Sequence, residues 1–141
     1  MPDNIRRTLK QFLMFGAIGV VGFVADAGVL YMLLHSTHAG FYLGRLVSYL
    51  CAATVTWFLN RTITFRASGS GVPPHHEWLR FLGANALGGL VNLGVYSLLV
   101  ARVALFTATP VLAVAVGSLS GLAVNFVLTK AYVFRPDRLA S

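Results

Sequence analysis

Cysteine, acidic residues and charge in general are scarce in this chain. A single cysteine, Cys51, excludes an internal disulfide and any metal site built on clustered thiolates. The four histidines are His35, His38 and the neighbours His75 and His76. None of them has the helical spacing of a zinc protease, so no metal site is expected. No glycine-rich loop leads into a helix and a lysine, and no nucleophile–base pair stands out. We therefore expect no cofactor and no catalytic residue, and we read the chain as a non-enzyme. Charged residues make up 11% of the 141, where a soluble domain carries roughly 25%. Hydrophobic residues make up 57% and the mean hydropathy is +0.74. Too few polar side chains remain to cover a water-facing surface, which excludes a soluble enzyme. The same apolar fraction excludes disorder.

Four long apolar stretches are present. A membrane helix needs about 20 mostly apolar residues. The stretches run Phe12–Leu34, Leu43–Phe65, Leu79–Val100 and Pro110–Phe134. The expected fold is an all-α membrane protein of four transmembrane helices, arranged as two parallel-repeat helical hairpins. Residues 1–11 form a basic cytoplasmic segment and 12–65 the first hairpin. Residues 66–78 form a cytoplasmic linker rich in Gly, Ser and Pro, 79–134 the second hairpin, and 135–141 a cytoplasmic tail. The first helix is expected to stay uncleaved, because its apolar run is too long for a signal peptide and three more spans follow.

The formal charge of +7 would suggest nucleic acid in a soluble chain. The positions of the charges argue against that. Arg6, Arg7, Lys10, Arg61, Arg66, Arg80, Lys130, Arg135 and Arg138 all fall on one side of the spans, and only Arg45 and Arg102 on the other. The positive-inside rule then puts both termini and the linker in the cytoplasm. Acidic lipids and phosphorylated ligands are the natural partners of such a face.

The two halves repeat. Shifted by 66 positions, Phe15 meets Phe81, Gly22 meets Gly88 and Asp26 meets Asn92. Shifted by 69, Val55 meets Val124, Arg61 meets Lys130, Phe65 meets Phe134 and Arg66 meets Arg135. Each half enters and leaves on the same side, so the repeats are parallel. Small and polar residues form stripes at helical spacing. Gly19, Gly22 and Asp26 answer to Asn85, Gly88 and Asn92; Ser48, Ala52, Thr56 and Asn60 answer to Gly117, Gly121, Asn125 and Thr129. Such stripes pack membrane helices closely, and they can also line a polar cleft for a headgroup.

Candidate ligand-binding residues follow from depth and charge. Asp26, the acidic residue inside a span, is costly there unless paired, hydrated or protonated. Arg45 is its expected partner. Thr56, Asn60, Asn92 and Asn125 are the polar stripe residues beside it, and Arg61 and Lys130 mark the inner ends. Arg61, Arg66, Lys130 and Arg135 are the expected inner-rim phosphate contacts, because arginine offers a bidentate fork to phosphate. The competing reading makes them interfacial anchors beside Trp57, Phe58, Phe65, Phe126, Tyr132 and Phe134. Glu77 is expected on the solvated surface, His35 and His38 in an exposed outer loop, and Cys51 as a small packing residue.

On these residues the chain resembles the GtrA-like family over Phe12–Phe134. The resemblance is carried by Phe12-Leu13-Met14-Phe15-Gly16-Ala17-Ile18-Gly19 and by two span endings. One is Trp57-Phe58-Leu59-Asn60-Arg61-Thr62-Ile63-Thr64-Phe65, similar to the family's Asn-Arg-x-x-x-Phe. The other runs from Asn125 to Phe134 and has Thr129-Lys130 in place of Asn-Arg. The resemblance implies a small protein of the bacterial inner membrane that flips a polyprenyl-phosphate-linked sugar for modification or synthesis of cell-surface polysaccharide, such as O-antigen. It implies the sugar lipid and a membrane glycosyltransferase as partners. A homodimer is also expected, since four helices enclose little volume. Two alternatives stand beside it: a scaffold that anchors the glycosyltransferase, and a small proton-coupled exporter of the multidrug type using Asp26.

Overall fold

A computed structural model of the chain describes residues 2–37 and 40–135. His38, expected in the outer loop, and Arg138, expected in the tail, lie outside the described residues. All regular structure among the described residues is helical. The chain divides between Gly69 and Ser70 into two compact units, each a helical hairpin.

In the first hairpin α1 (Asp3–Ser36) packs on α2 (Phe41–Leu59), which runs into a π-helical turn at Asn60–Thr64. Helix α1 begins well before the apolar run, so the basic segment is its first turns and not a separate strand of chain. At its C-terminal end the Thr37 hydroxyl donates to the Leu33 carbonyl at 2.6 Å and satisfies one of the helix's last acceptors. In the second hairpin α3 (Pro74–Arg102) packs on α5 (Pro110–Leu128), which ends in its own π turn at Thr129–Val133. A short helix α4 (Ala104–Ala108) links them. Thr107 and Thr109 hydroxyls donate to the Val100 and Leu105 carbonyls, each at 2.6 Å, and tie that link to the helix ends.

Part of the expected linker is helix. Gly71 takes a left-handed φ of 69°, which glycine adopts without strain, and turns the chain into Pro73 and Pro74. Pro74 then opens α3, where a missing N–H costs nothing. His75 and His76 therefore stand exposed in the first turn of α3, their ring centroids 4.3 Å apart.

Among the described residues three helices are long and apolar enough to cross a membrane: Asp3–Ser36, Pro74–Arg102 and Pro110–Val133. Helix α2 carries the polar residues Arg45, Ser48, Thr54 and Thr56. Large apolar side chains point outward: Phe23 is 72% exposed, Leu90 65% and Val111 79%. Water would not tolerate an apolar surface of that extent, whereas lipid does. With lipid outside, the hydrophobic effect does not hold helix to helix, and close packing must. The seams show it. In the first hairpin Gly22 lies against Thr56, and in the second Gly88 and Gly121 lie against each other's backbone.

Cys51 is exposed on α2 and does not pack in the seam as expected. The neighbouring Ala52 takes the seam position, and one step of about 100° along a helix turns Cys51 away from it.

Candidate functional site

Toward the connecting loop of the first hairpin, Arg45 Nη1 donates to Asp26 Oδ2 in an ion pair. Ser48, fully buried, donates to the Arg45 carbonyl at 3.1 Å. The structure therefore joins the two residues that the sequence paired. The second hairpin has no counterpart, since Asn92 and Val114 occupy the matching positions. Asn92 instead sits against Gly117 and Gly121.

The other polar stripe residues turn into their own hairpins. The Thr56 hydroxyl lies 3.0 Å from both the Ala52 and Ala53 carbonyls. Asn60 is 1% exposed and its Nδ2 donates to the Thr56 carbonyl at 2.9 Å. Asn125 stands over Gly88. Several polar atoms near the π turns have no hydrogen-bond partner: Asn60 Oδ1, Thr64 Oγ1, Asn125 Oδ1 and Thr129 Oγ1. Native proteins seldom bury such atoms unsatisfied, so their clustering marks the two π turns as special.

The turns themselves repeat. The Phe65 N–H reaches back five residues to the Asn60 carbonyl at 2.8 Å, and the Phe134 N–H to the Thr129 carbonyl at 3.0 Å. The Thr62 hydroxyl donates to the Phe58 carbonyl. That bond does not cause the turn, because Ala131 stands at the matching place in the other half. What both turns share is the aromatic that ends them: Phe65 and Phe134 are each 2% exposed. Phe65 meets Phe15 edge to face, with centroids 6.4 Å apart. Single π turns inside α-helices occur often at functional sites.

The expected inner-rim quartet splits into two kinds. Arg61 lies over the Trp57 ring at 5.5 Å, and Lys130 over Phe126 at 5.7 Å, both one helical turn back. Arg66 and Arg135 instead line recesses beside the π turns. The first recess, about 210 Å³, is formed by Arg7, Lys10, Gln11, Thr64 and Arg66 with apolar neighbours. The second, about 350 Å³, is formed by Arg80, Ala131, Tyr132 and Arg135.

Glu77 corrects a sequence expectation. It is 1% exposed and accepts a hydrogen bond from the buried Ser70 hydroxyl, rather than standing on a solvated surface. Its place in the first turn of α3 explains why a carboxylate is tolerated, since the free N–H groups there favour negative charge.

The chain also has counterparts among known protein families. The model of the family described as GtrA/DPMS, transmembrane domain, matches residues 14–134. The chain belongs to that family. No curated protein matches it. As a GtrA/DPMS transmembrane domain it is a multi-pass membrane protein of polyprenyl-phosphate-sugar processes. The match takes in both π turns but begins after Arg7, Lys10 and Gln11 and ends before Arg135. Sequence reading took Arg7, Lys10 and Arg80 only as orientation signals and passed over Gln11 and Thr64. The signal that finds them is the repeat offset applied to the polar residues just outside the spans.

Proposed function

We propose that this GtrA/DPMS domain moves a polyprenyl-phosphate-linked sugar across the bacterial inner membrane, for synthesis or modification of cell-surface polysaccharide. In this reading α2 is a fourth span whose buried cost is lowered by the Asp26–Arg45 pair. Both termini and the linker face the cytoplasm. The protein makes and breaks no covalent bond. A membrane glycosyltransferase supplies the loaded lipid, and a second copy of the chain enlarges the path. The observation that carries the reading is the basic recess beside each π turn, at the end where each hairpin enters and leaves. A glycosyl phosphate cannot cross hydrocarbon unaided, because its phosphate and hydroxyls would lose their hydration. Cations at the membrane surface collect it, and the prenyl chain stays in lipid.

A scaffold for the glycosyltransferase is the second reading. It is favoured by the burial of Asn60 and Thr129 inside their own hairpins, where no headgroup reaches them. The exporter reading is weaker, because Arg45 already neutralises the carboxylate that would carry the proton.

The test is reconstitution in liposomes with a short-chain polyprenyl-phosphate sugar, following the appearance of sugar on the far leaflet. Transport predicts acceleration over empty liposomes by at least about tenfold, a barrier reduction of about 1.4 kcal/mol. The acceleration should be lost in Arg61→Ala or Asp26→Asn. Folded protein with no acceleration would reject transport in favour of the scaffold, to be followed by capture of the transferase.

A further inference from the structure

We infer that the recess of the first hairpin binds the phosphate of a headgroup that also carries hydroxyls, a glycosyl phosphate, and that the second recess has lost this capacity. The inference deepens the transport reading and rests on it for the lipid tail alone. Arg7, Lys10 and Arg66 bring three cations to one cavity of about 210 Å³. No carboxylate pairs with any of them among the described residues. Two further lining residues are more than nine-tenths buried, Gln11 at 7% and Thr64 at 6% exposure. Gln11 Oε1 and Thr64 Oγ1 both lack a hydrogen-bond partner.

The chemistry of these atoms selects the ligand. Guanidinium and ammonium groups are donors only, so they want a phosphate or another acceptor-rich anion. A phosphodiester is an acceptor only, and it can take the Thr64 hydroxyl proton. It cannot satisfy Gln11 Oε1, which needs a donor. A sugar hydroxyl supplies one. Phosphate and hydroxyl together therefore use every unpartnered group in the recess, and phosphate alone does not.

The other half shows what the site looks like without these groups. Under the shift of 66, Gln11 answers to Glu77, Lys10 to His76 and Arg7 to Pro73. Under the shift of 69, Thr64 answers to Val133 and Arg66 to Arg135. The orphan amide has become a carboxylate bonded to Ser70, and the orphan hydroxyl a valine. Two arginines remain at the second recess, with no buried acceptor left open among its described lining residues.

The experiment uses the full chain in phosphatidylcholine nanodiscs and calorimetric titration with glucose-1-phosphate, methyl phosphate and a farnesyl-phosphate-linked glucose. Glucose-1-phosphate is expected to bind about tenfold tighter than methyl phosphate, the scale of one good hydrogen bond to a charged or buried group. Tighter binding of the farnesyl form assigns the ligand to the lipid pool, and equal binding to soluble sugar phosphates. Arg66→Ala, a change at an exposed side chain, should weaken both sugar ligands by about tenfold, while Arg135→Ala stays within about twofold. Gln11→Met, which keeps the volume and removes the acceptor, should erase the preference for glucose-1-phosphate over methyl phosphate. Equal effects of Arg66→Ala and Arg135→Ala, equal affinity for the two soluble ligands in the parent protein, or no binding would overturn the inference. Flipping in liposomes that is unchanged by Arg66→Ala and Gln11→Met would sink it too, and would leave the transport reading standing. Selective binding without flipping would do the reverse.

Discussion

In the first hairpin the crowded glycine, Gly22, faces a side chain; in the second, Gly88 faces the Asn125 side chain and, with Gly121, the opposing backbone as well. A methyl group added at Gly22 would stand 2.2 Å from Thr56 Cγ2, the end of a side chain, and 3.9 Å from the Ala52 carbonyl. One added at Gly121 would stand 2.7 Å from the Gly88 carbonyl oxygen and 2.9 Å from Asn92 Cβ. The two halves have thus kept one topology and diverged in its tightness. The second relies on Ala113, Gly117 and Gly121, buried at every fourth residue of α5. The first carries an ion pair and, beside its recess, the unpartnered Gln11 and Thr64, where the second has Glu77 and Val133. Duplication allows this division, because one copy can hold the fold while the other holds a ligand.

The largest expected effect tests that contrast directly. Gly121→Ala should destabilise the protein by about 3 kcal/mol, the upper range for overpacking, because backbone cannot move aside. Gly22→Ala should cost about 1 kcal/mol, and Gly22→Ala with Thr56→Ser should recover most of it by removing the clashing methyl. Thermal unfolding in detergent micelles measures both. Equal losses would show that the two seams are equally tight.

A second contrast sets Gln11 against Glu77, which occupy matching positions. Glu77→Leu should cost about 2 kcal/mol, because it strands the buried Ser70 hydroxyl. Gln11→Leu should cost no more than about 0.5 kcal/mol, because the carbonyl it removes has no partner to lose. The same unfolding measurement decides it. A Gln11→Leu loss as large as that of Glu77→Leu would mean that the glutamine serves the fold.

Toward their connecting loops the two hairpins differ by one ion pair. Asp26→Asn should cost about 1 kcal/mol, since Arg45 is 56% exposed. Arg45→Ala should cost more, because it leaves the carboxylate alone inside the span. Reversal of that order would show that the arginine, and not the aspartate, is the group in need of a partner.

Much of this was legible in the sequence, and for identifiable reasons. Long apolar runs report lipid-facing helices. The matched residues at offsets of 66 and 69 suggest a duplication, and the chain divides into two compact helical units. The Asp26–Arg45 pair followed from the cost of a lone charge at depth. The π turns were not legible, because Asn60-Arg61-Thr62-Ile63-Thr64 and Thr129-Lys130-Ala131-Tyr132-Val133 share no composition that marks a five-residue hydrogen bond. Glu77 was misread because glycine, serine and proline around it look like linker, and its burial depends on Ser70 folding back seven residues. The basic residues split for the same reason. Hydropathy counts Arg7, Lys10, Arg61 and Arg66 alike as inner charges, and only the turn geometry decides which face a recess and which lie on a ring.

The smallest expected effect concerns those ring contacts. Arg61 over Trp57 and Lys130 over Phe126 are the same contact in the two halves, at 5.5 and 5.7 Å. Indole attracts a cation more strongly than phenyl does, and arginine adds planar stacking that lysine lacks. Arg61→Ala should therefore cost about 1 kcal/mol and Lys130→Ala about 0.5. Trp57→Phe should bring the first value down to the second. If these residues act as anchors alone, transport falls only in proportion to the stability lost. If Arg61 also hands a phosphate on from the Arg66 recess, Arg61→Ala slows transport well beyond that loss, while Lys130→Ala does not. Unfolding and liposome transport measured on the same three variants separate the two outcomes.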